Sequence, residues 1–161
     1  HRRVARASIR PRMGGIGGVT IFEPFEEDAE GVLPSGVFTR QNSCALLCVD
    51  LGGRVAEEVM LKPLEVSSGA TSDFRSATRR AMSMVADWGL GGSVLSIDAL
   101  GHQCSDATLR QTELAAADIL GEALACARSL LSAREGRDSL KRVADKLLEA
   151  GEVEASELAS C

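Results

Sequence analysis

The sequence predicts an α+β fold that is mostly α-helical, with a small N-terminal sheet followed by a helical bundle. Residues 1–34 contain short β-branched runs interrupted by Gly and Pro, which is typical of strands and turns. From Thr39 onward, apolar residues recur every three or four positions, which is the period of an amphipathic helix. Aromatic residues make up only 3% of the chain, so its core is expected to consist of Ala, Leu, Val and Ile in closely packed helices.

Two strands are predicted in the N-terminal region. The first runs from Val4 to Ile9 and Pro11 ends it, because proline cannot donate a ladder hydrogen bond. The second strand is the β-branched run from Val19 to Phe22, which Pro24 follows. The glycine-rich run at 14–18 predicts the turn that joins them.

The first two predicted helices occupy the middle of the chain. Thr39 caps the first helix. Gly52 and Gly53 lie inside it, where each glycine costs about 1 kcal/mol relative to Ala. Since this helix tolerates both, another backbone is expected to approach it closely. Ser72 is predicted to cap the second helix, and Gly89 is predicted to end it.

The chain from Ser105 onward is also predicted to be helical. Ser105 caps a long helix that extends to about Arg134 and has an Ala- and Leu-rich face. Gly136 is predicted to break it, Asp138 to cap the next helix and Gly151 to end that one. A last short helix is predicted to follow.

A single domain is predicted for residues 1–161, since a chain of this length can bury one core. Its parts are the strand region 1–34, the helices of 39–89 and the C-terminal helical part 105–161. The net charge of −5 argues against a nucleic-acid partner. No run of about 18 apolar residues exists, so any membrane anchor is expected outside this stretch.

The cysteines and the N-terminus bear on the compartment. Five cysteines, an odd number without a CxxC pair, predict free thiols in a reducing environment rather than a disulfide framework. Cys44 and Cys48 lie one helical turn apart, a spacing at which small buried side chains also recur. The first twelve residues are rich in Arg and lack acids. They are interpreted as the start of a strand inside a longer precursor, with a transit peptide as the alternative.

Four short motifs follow one another in the middle of the chain. They are Leu51-Gly52-Gly53-Arg54-Val55-Ala56-Glu57-Glu58, Ser68-Gly69-Ala70-Thr71-Ser72-Asp73-Phe74, Ala77-Thr78 and Met84-Val85-Ala86-Asp87-Trp88-Gly89. In order and spacing they resemble the GGRxAEE, TGAxxD, AT and MVxxWG signatures of the FtsH-type ATP-dependent zinc metalloprotease, with Ser68 in place of the usual Thr. The run Ile9-Arg10-Pro11-Arg12 resembles the strand that follows the zinc helix in that family.

The resemblance implies a zinc site of which this chain holds one part. In the family, zinc is bound by two His of an HExxH helix and by the Asp of TGAxxD, which Asp73 matches; the Glu of HExxH is the general base. The chain contains no HExxH, so it has one ligand of three and no general base. His1 lies too close to the strand to be counted in the pair. A zinc site made of His102 and Cys104 is the disfavoured alternative, because a lone HxC in a loop seldom binds metal.

The resemblance also gives roles to other residues. The strand formed by Gly18, Val19, Thr20, Ile21 and Phe22 corresponds to the family strand that holds substrate by β-augmentation, and an ordinary sheet strand is the alternative. Glu57 and Glu58 are interpreted as structural, ordering the helix and the neighbouring loop rather than taking part in catalysis.

Two functions remain open at this stage. The first is part of an ATP-dependent zinc endopeptidase that degrades membrane and misfolded proteins, with zinc and ATP handled through an HExxH helix and an ATPase module outside this chain. The second is a catalytically inactive relative that serves as an interaction component of a larger assembly. Protein partners in an oligomeric ring or larger assembly are implied, with polypeptide as the substrate if active. The location implied is a mitochondrion or plastid, membrane-associated through other segments.

Overall fold

The computed structural model describes residues 4–11, 18–23 and 37–158, with Asp98 and His102 described by their backbones alone. The elements in chain order are β1 (Val4–Ser8), β2 (Val19–Phe22), α1 (Arg40–Met60), α2 (Thr71–Ala86), α3 (Ile97–Leu100), α4 (Asp106–Ser132), α5 (Arg134–Ala150), β3 (Glu152–Glu154) and α6 (Ala155–Leu158). The fold is therefore α+β and mostly helical, as predicted. The chain separates into two compact units, one containing the strands with α5 and α6, the other containing α1 to α4.

The first unit is built on a three-stranded antiparallel sheet in the order β2-β1-β3. Both predicted strands are confirmed, although the predicted turn at 14–18 lies mostly outside the described residues. β3 was not predicted, because it is only three residues long and two of them are Glu. Its central residue, Val153, is buried opposite Ala7 of β1. Pairing with β1, rather than local propensity, therefore makes this segment a strand.

The last part of this unit departs from prediction in one further respect. α5 begins at Arg134 and passes through Gly136 without a break. The interruption comes instead at Ala133, whose backbone is extended, with α4 ending at Ser132. A single glycine costs a helix only about 1 kcal/mol, which the flanking residues of α5 can offset. Asp138 is therefore not a cap, whereas Gly151 ends α5 with a φ of 74°, as predicted.

The second unit has a core formed by α1, α2 and α4. Its buried side chains are small or aliphatic: Leu47, Leu51, Ala77, Ala81, Met84, Val85, Ala116, Ile119 and Ala123. The alanines allow the three helices to approach closely, and none of the buried side chains in this cluster is aromatic. This confirms the composition argument. Full burial of a Leu, Val, Ile or Met side chain contributes about 1.5–3 kcal/mol, so the larger side chains of this cluster stabilise the unit.

The observed ends of these helices agree in part with the ends predicted from the sequence. Thr39 caps α1 as predicted, accepting a 3.1 Å hydrogen bond from the backbone N–H of Asn42. Ser105 caps α4 by accepting one from Thr108. The prediction that Ser72 caps α2 is wrong, because the helix begins one residue earlier, at Thr71.

The start of α2 depends on a turn rather than on a side-chain cap. The hydroxyl of Thr71 donates a 2.6 Å hydrogen bond to the carbonyl oxygen of Ser68, and Ala70 occupies the cap position without a capping side chain. The segment between α2 and α4 contains the short helix α3, which Ser96 caps.

Candidate functional site

Asp73 lies in the first turn of α2, on the side of the helix that faces α1. A Cβ placed on Gly53 would lie 3.8 Å from Asp73 Oδ2, so the glycine leaves room beside the carboxylate. The positive end of the helix dipole favours a negative charge at this position. Ser72 Oγ donates a long, 3.5 Å hydrogen bond to Asp73 Oδ1. Among the described residues, no Lys or Arg forms an ion pair with Asp73.

The two glycines of α1 do not mark a close backbone contact. Within the part of the chain that the structure describes, nothing lies within 4 Å of a Cβ placed on Gly52. Gly53 meets only the Asp73 side chain at that range. The prediction that another backbone approaches these glycines is therefore wrong for the described residues. The space beside Gly53 is occupied by the carboxylate of Asp73.

Glu57 anchors the loop that precedes α2. Its Oε2 accepts a 2.8 Å hydrogen bond from the backbone N–H of Ser67, and its Oε1 accepts a 2.7 Å bond from the Ser67 hydroxyl. The Ser67 hydroxyl also accepts a hydrogen bond from the N–H of Gly69. These bonds to Ser67, the backbone one first, lower the pKa of Glu57 below its ordinary value. The structural interpretation of Glu57 is confirmed: it orders the loop from which Asp73 follows.

Glu58 joins α1 to α4. It accepts hydrogen bonds from Arg128 at 2.7 Å and from Arg54 at 2.9 Å. The bond to Arg128, followed by the bond to Arg54, lowers the pKa of Glu58. The carboxylate is therefore held ionised between two guanidinium groups, which suits an ion pair and not a general base near neutral pH. The structural interpretation of Glu58 is confirmed too.

An open groove runs along an exposed face of α2. Thr71, Phe74, Arg75, Thr78 and Arg79 line it. Phe74 falls on the helical period of the apolar residues of α2, yet 41% of the residue is exposed. Ala77, Ala81 and Val85 are buried in the core cluster, of which Phe74 in the first turn of α2 is not a part.

Whether zinc can bind near Asp73 depends on which other side chains could serve as its ligands. A structural or catalytic zinc site needs at least three protein ligands, and a carboxylate oxygen is a suitable one. Asp73 fits one position. Across the described ranges, no group of three His, Cys, Asp or Glu residues is arranged to hold a metal ion. The described residues therefore do not complete a zinc site. His1 and the side chain of His102 lie outside the described part, and Cys104 is a free, partly exposed thiol.

The predicted substrate strand is described separately, in the first unit. β2 pairs with β1 and lies at one edge of the sheet as far as the structure describes it. Gly18 precedes the strand, and a Cβ there would come within 3.0 Å of the carbonyl oxygen of Ser8. Glycine thus allows the chain to enter β2 tightly against β1. An edge strand is the position to which an added strand pairs.

Comparison with known proteins decides the family. The chain matches Peptidase family M41 across residues 1–161. The chain belongs to this family. The motifs found in the sequence contain Gly53, Glu57 and Asp73, which lie on α1 and at the start of α2 in the second unit.

Relatives in the M41 family are FtsH proteases. The chain is 32% identical to the ATP-dependent zinc metalloprotease FtsH of Synechococcus sp. over 96% of its length, and 36% identical to FtsH 2 of Sorangium cellulosum over 96%. It is 42% identical over 56% of its length to FTSH 5, chloroplastic, of Arabidopsis thaliana. It covers 25%, 27% and 12% of these relatives, so it spans about a quarter or less of each. The chain is an FtsH-type protease domain.

One further structural finding concerns membranes. In residues 4–11, 18–23 and 37–158, no helix combines the length and apolarity needed to cross a bilayer.

Proposed function

We propose that the chain is part of the proteolytic domain of an ATP-dependent zinc metalloendopeptidase that degrades membrane and misfolded proteins. Asp73 is assigned as the third zinc ligand. The HExxH helix and the ATPase module are assigned to parts of the full-length protein outside this sequence. The Synechococcus and Sorangium relatives are named ATP-dependent zinc metalloproteases, and the chain spans about a quarter of their length.

The observation that carries this proposal is the setting of Asp73. Its carboxylate lies at a helix N-terminus, next to a glycine that leaves room beside it, and has no cationic partner among the described residues. Glu58, by contrast, is paired with Arg54 and Arg128. The bonds from Glu57 to Ser67 hold the preceding loop and support the position of Asp73.

The edge strand supports a second part of the proposal. We assign Gly18, Val19, Thr20, Ile21 and Phe22 to binding an extended polypeptide, which would add to the sheet beside β2. Backbone hydrogen bonds would supply affinity without demanding a particular substrate sequence. Such tolerance suits an enzyme that degrades many unfolded proteins.

Partners and location follow from the same proposal. An oligomeric ring or larger assembly of protein subunits is proposed, with membrane attachment through segments outside this chain. Since the Arabidopsis relative is named chloroplastic, a plastid is the location favoured over a mitochondrion. Fractionation of organelles with an antibody against the chain would test the location.

The experiment that tests the assignment compares the full-length natural protein with its Asp73→Asn and Asp87→Asn variants. Asparagine keeps the shape of the side chain and removes the charge that zinc requires. Asp87 ends α2, outside the proposed site, so its variant controls for the loss of a carboxylate on the same helix. Loss of zinc and of ATP-dependent casein cleavage in the Asp73 variant alone supports the proposal.

The alternative function is a catalytically inactive subunit that acts as an interaction component. The observation behind it is that no three His, Cys, Asp or Glu side chains among the described residues are arranged to hold a metal ion. Under this alternative the folded full-length protein contains no zinc and cleaves no casein. In either case, the stretch of 161 residues by itself is expected to be inactive, because it contains no HExxH.

A further inference from the structure

Cysteines meet where α1 crosses α4. The thiol of Cys48 donates a 3.5 Å hydrogen bond to the carbonyl oxygen of Ala123. Cys126 follows Ala123 by three residues, and residues three apart lie on the same face of a helix. The Cys48 thiol therefore meets α4 at the turn that carries Cys126. Cys44, one turn before Cys48 on α1, is the third cysteine in this region.

The contacts distinguish which two of the three thiols form a pair. Burial and then a side-chain hydrogen bond with Cys126 raise the pKa of Cys48 to about 11. The Cys48 thiol reaches across to α4 at Ala123, whereas Cys44 lies on the same helix as Cys48. Cys126 is therefore the candidate partner of Cys48 on α4. Within the described residues the cluster does not have the arrangement of a metal site.

The two thiols differ in access to solvent. Cys126 is exposed on α4, whereas Cys48 is half-buried and packs against the core of the second unit. A dissolved oxidant therefore meets Cys126 first. The raised pKa leaves Cys48 little thiolate near neutral pH, so the first attack falls to Cys126, and Cys48 reacts only in the second step, where its target sulfur is held beside it.

We propose that Cys48 and Cys126 form a reversible disulfide that links α1 to α4 when the thiol pool becomes oxidised. The co-reactant is a low-molecular-weight disulfide such as oxidised glutathione. The Cys126 thiolate attacks one of its sulfurs, forming a mixed disulfide and releasing one glutathione. The Cys48 thiolate then attacks the Cys126 sulfur, forming the protein disulfide and releasing the second glutathione. The protein loses two electrons and two protons, and glutathione gains them.

The link would act on the helix that bears the site residues. α1 carries Gly53 and Glu57, and its packing on α4 forms most of the core. A bond between residues 48 and 126 also closes a long loop in the unfolded chain, which disfavours unfolding. Oxidation is therefore expected to raise the thermal midpoint and slow unfolding, and dithiothreitol is expected to reverse both effects.

The test uses a peptide map of the folded full-length protein after exposure to oxidised glutathione. Remaining thiols are blocked with N-ethylmaleimide, and trypsin digestion follows without reductant. Cleavage at arginine gives peptide 41–54, which contains Cys44 and Cys48, and peptide 111–128, which contains Cys126. The expected product is these two peptides cross-linked, with the maleimide on Cys44.

Fragmentation of the cross-linked peptide identifies the linked sulfur even without variants. The matched variants are Cys44→Ser, which is expected to keep the cross-link, and Cys48→Ser, which is expected to lose it. Maleimide on Cys48 instead of Cys44, or a cross-link that survives in the Cys48 variant, would overturn the assignment. Stable glutathione adducts at Cys126 without any cross-link would overturn it as well. None of these readouts depends on proteolytic activity.

Discussion

Glu57 and Glu58, adjacent on α1, show that the hydrogen-bond partners of a carboxylate determine its role. Glu57 binds a loop and Glu58 binds two arginines, and neither is left with the poised pKa of a general base. The sequence alone allowed paired carboxylate chemistry. The family resemblance favoured a structural role, and the hydrogen bonds explain why that interpretation is right.

The lowered pKa of Glu57 predicts a pH dependence of stability. A carboxyl group whose pKa is lower in the folded state stabilises the fold above its unfolded pKa of about 4.5. This stabilisation is lost as the pH falls through the lower, folded value. Glu57→Gln is therefore expected to lower the thermal midpoint at pH 7, and the difference from the natural protein is expected to shrink below about pH 4.

Thermal unfolding followed by circular dichroism across this pH range measures the effect. Glu113→Gln is the control, since Glu113 is an exposed residue of α4 and the change removes the same charge. An unchanged midpoint at pH 7 in the Glu57 variant would show that the loop does not depend on this carboxylate. The charge-matched control separates the hydrogen bonds from the change in net charge.

At the residue scale, the sequence identifies a candidate site residue but not the residues that surround it. Asp73 could be assigned from its motif, but its neighbours could not. The sequence treated Gly53 as a packing position, and only the three-dimensional structure places it beside the Asp73 carboxylate. Phe74 fitted the helical period of the core, and only the extent of the core around α2 shows that it lines a groove instead.

At the scale of elements, local signals were sufficient where a side chain or a glycine decides the end of a helix. Thr39, Ser105 and Gly151 are such cases. Local signals failed where the outcome depends on distant partners. β3 exists because it pairs with β1, and α5 continues through Gly136 because one glycine is a small penalty. Sequence periodicity shows neither the pairing of β3 with a distant strand nor whether a helix continues through a single glycine.

Gly52 gives an element-scale prediction. No atom of the described residues lies near the position of its missing Cβ, and the residue is inside α1. Gly52→Ala is therefore expected to raise the stability of the 161-residue chain by roughly 0.5–1 kcal/mol through helix propensity. Denaturant unfolding measures this value. Destabilisation would mean that another segment packs against α1 there, which was the expectation from the sequence.

Gly91 lies in the turn after α2, and its substitution is expected to have the opposite effect to that of Gly52. A Cβ there would lie 2.5 Å from Val85 Cγ2 and 3.0 Å from the Val85 Cα, which is backbone and cannot move aside. Gly91→Ala is expected to destabilise the chain by about 1–3 kcal/mol, the usual range for overpacking.

The same denaturant experiment applies to Gly91, with Gly121→Ala as its control. Gly121 lies in α4 with open space around its Cβ position, so this second change is expected to be neutral or stabilising. Equal stability of the natural chain and the Gly91 variant would contradict the described geometry of the turn.

At the scale of the whole molecule, the family follows from the order and spacing of four motifs, which the match to Peptidase family M41 over residues 1–161 confirms. The fold class was equally accessible, because the change from strand to helix period is visible in the sequence. The division into two compact units was not, since the C-terminal α5 and β3 belong with the N-terminal strands. Only pairing between distant segments reveals this arrangement.

The measurement that tests the central claim most directly is the zinc content of the purified full-length protein, determined by elemental analysis together with ATP-dependent casein cleavage. We expect about one zinc per chain and cleavage that requires ATP, with both lost in Asp73→Asn and retained in Asp87→Asn. Zinc and cleavage that persist in the Asp73 variant would remove Asp73 from the site. A folded full-length protein with neither zinc nor cleavage would contradict the protease proposal and leave an inactive subunit that works by binding.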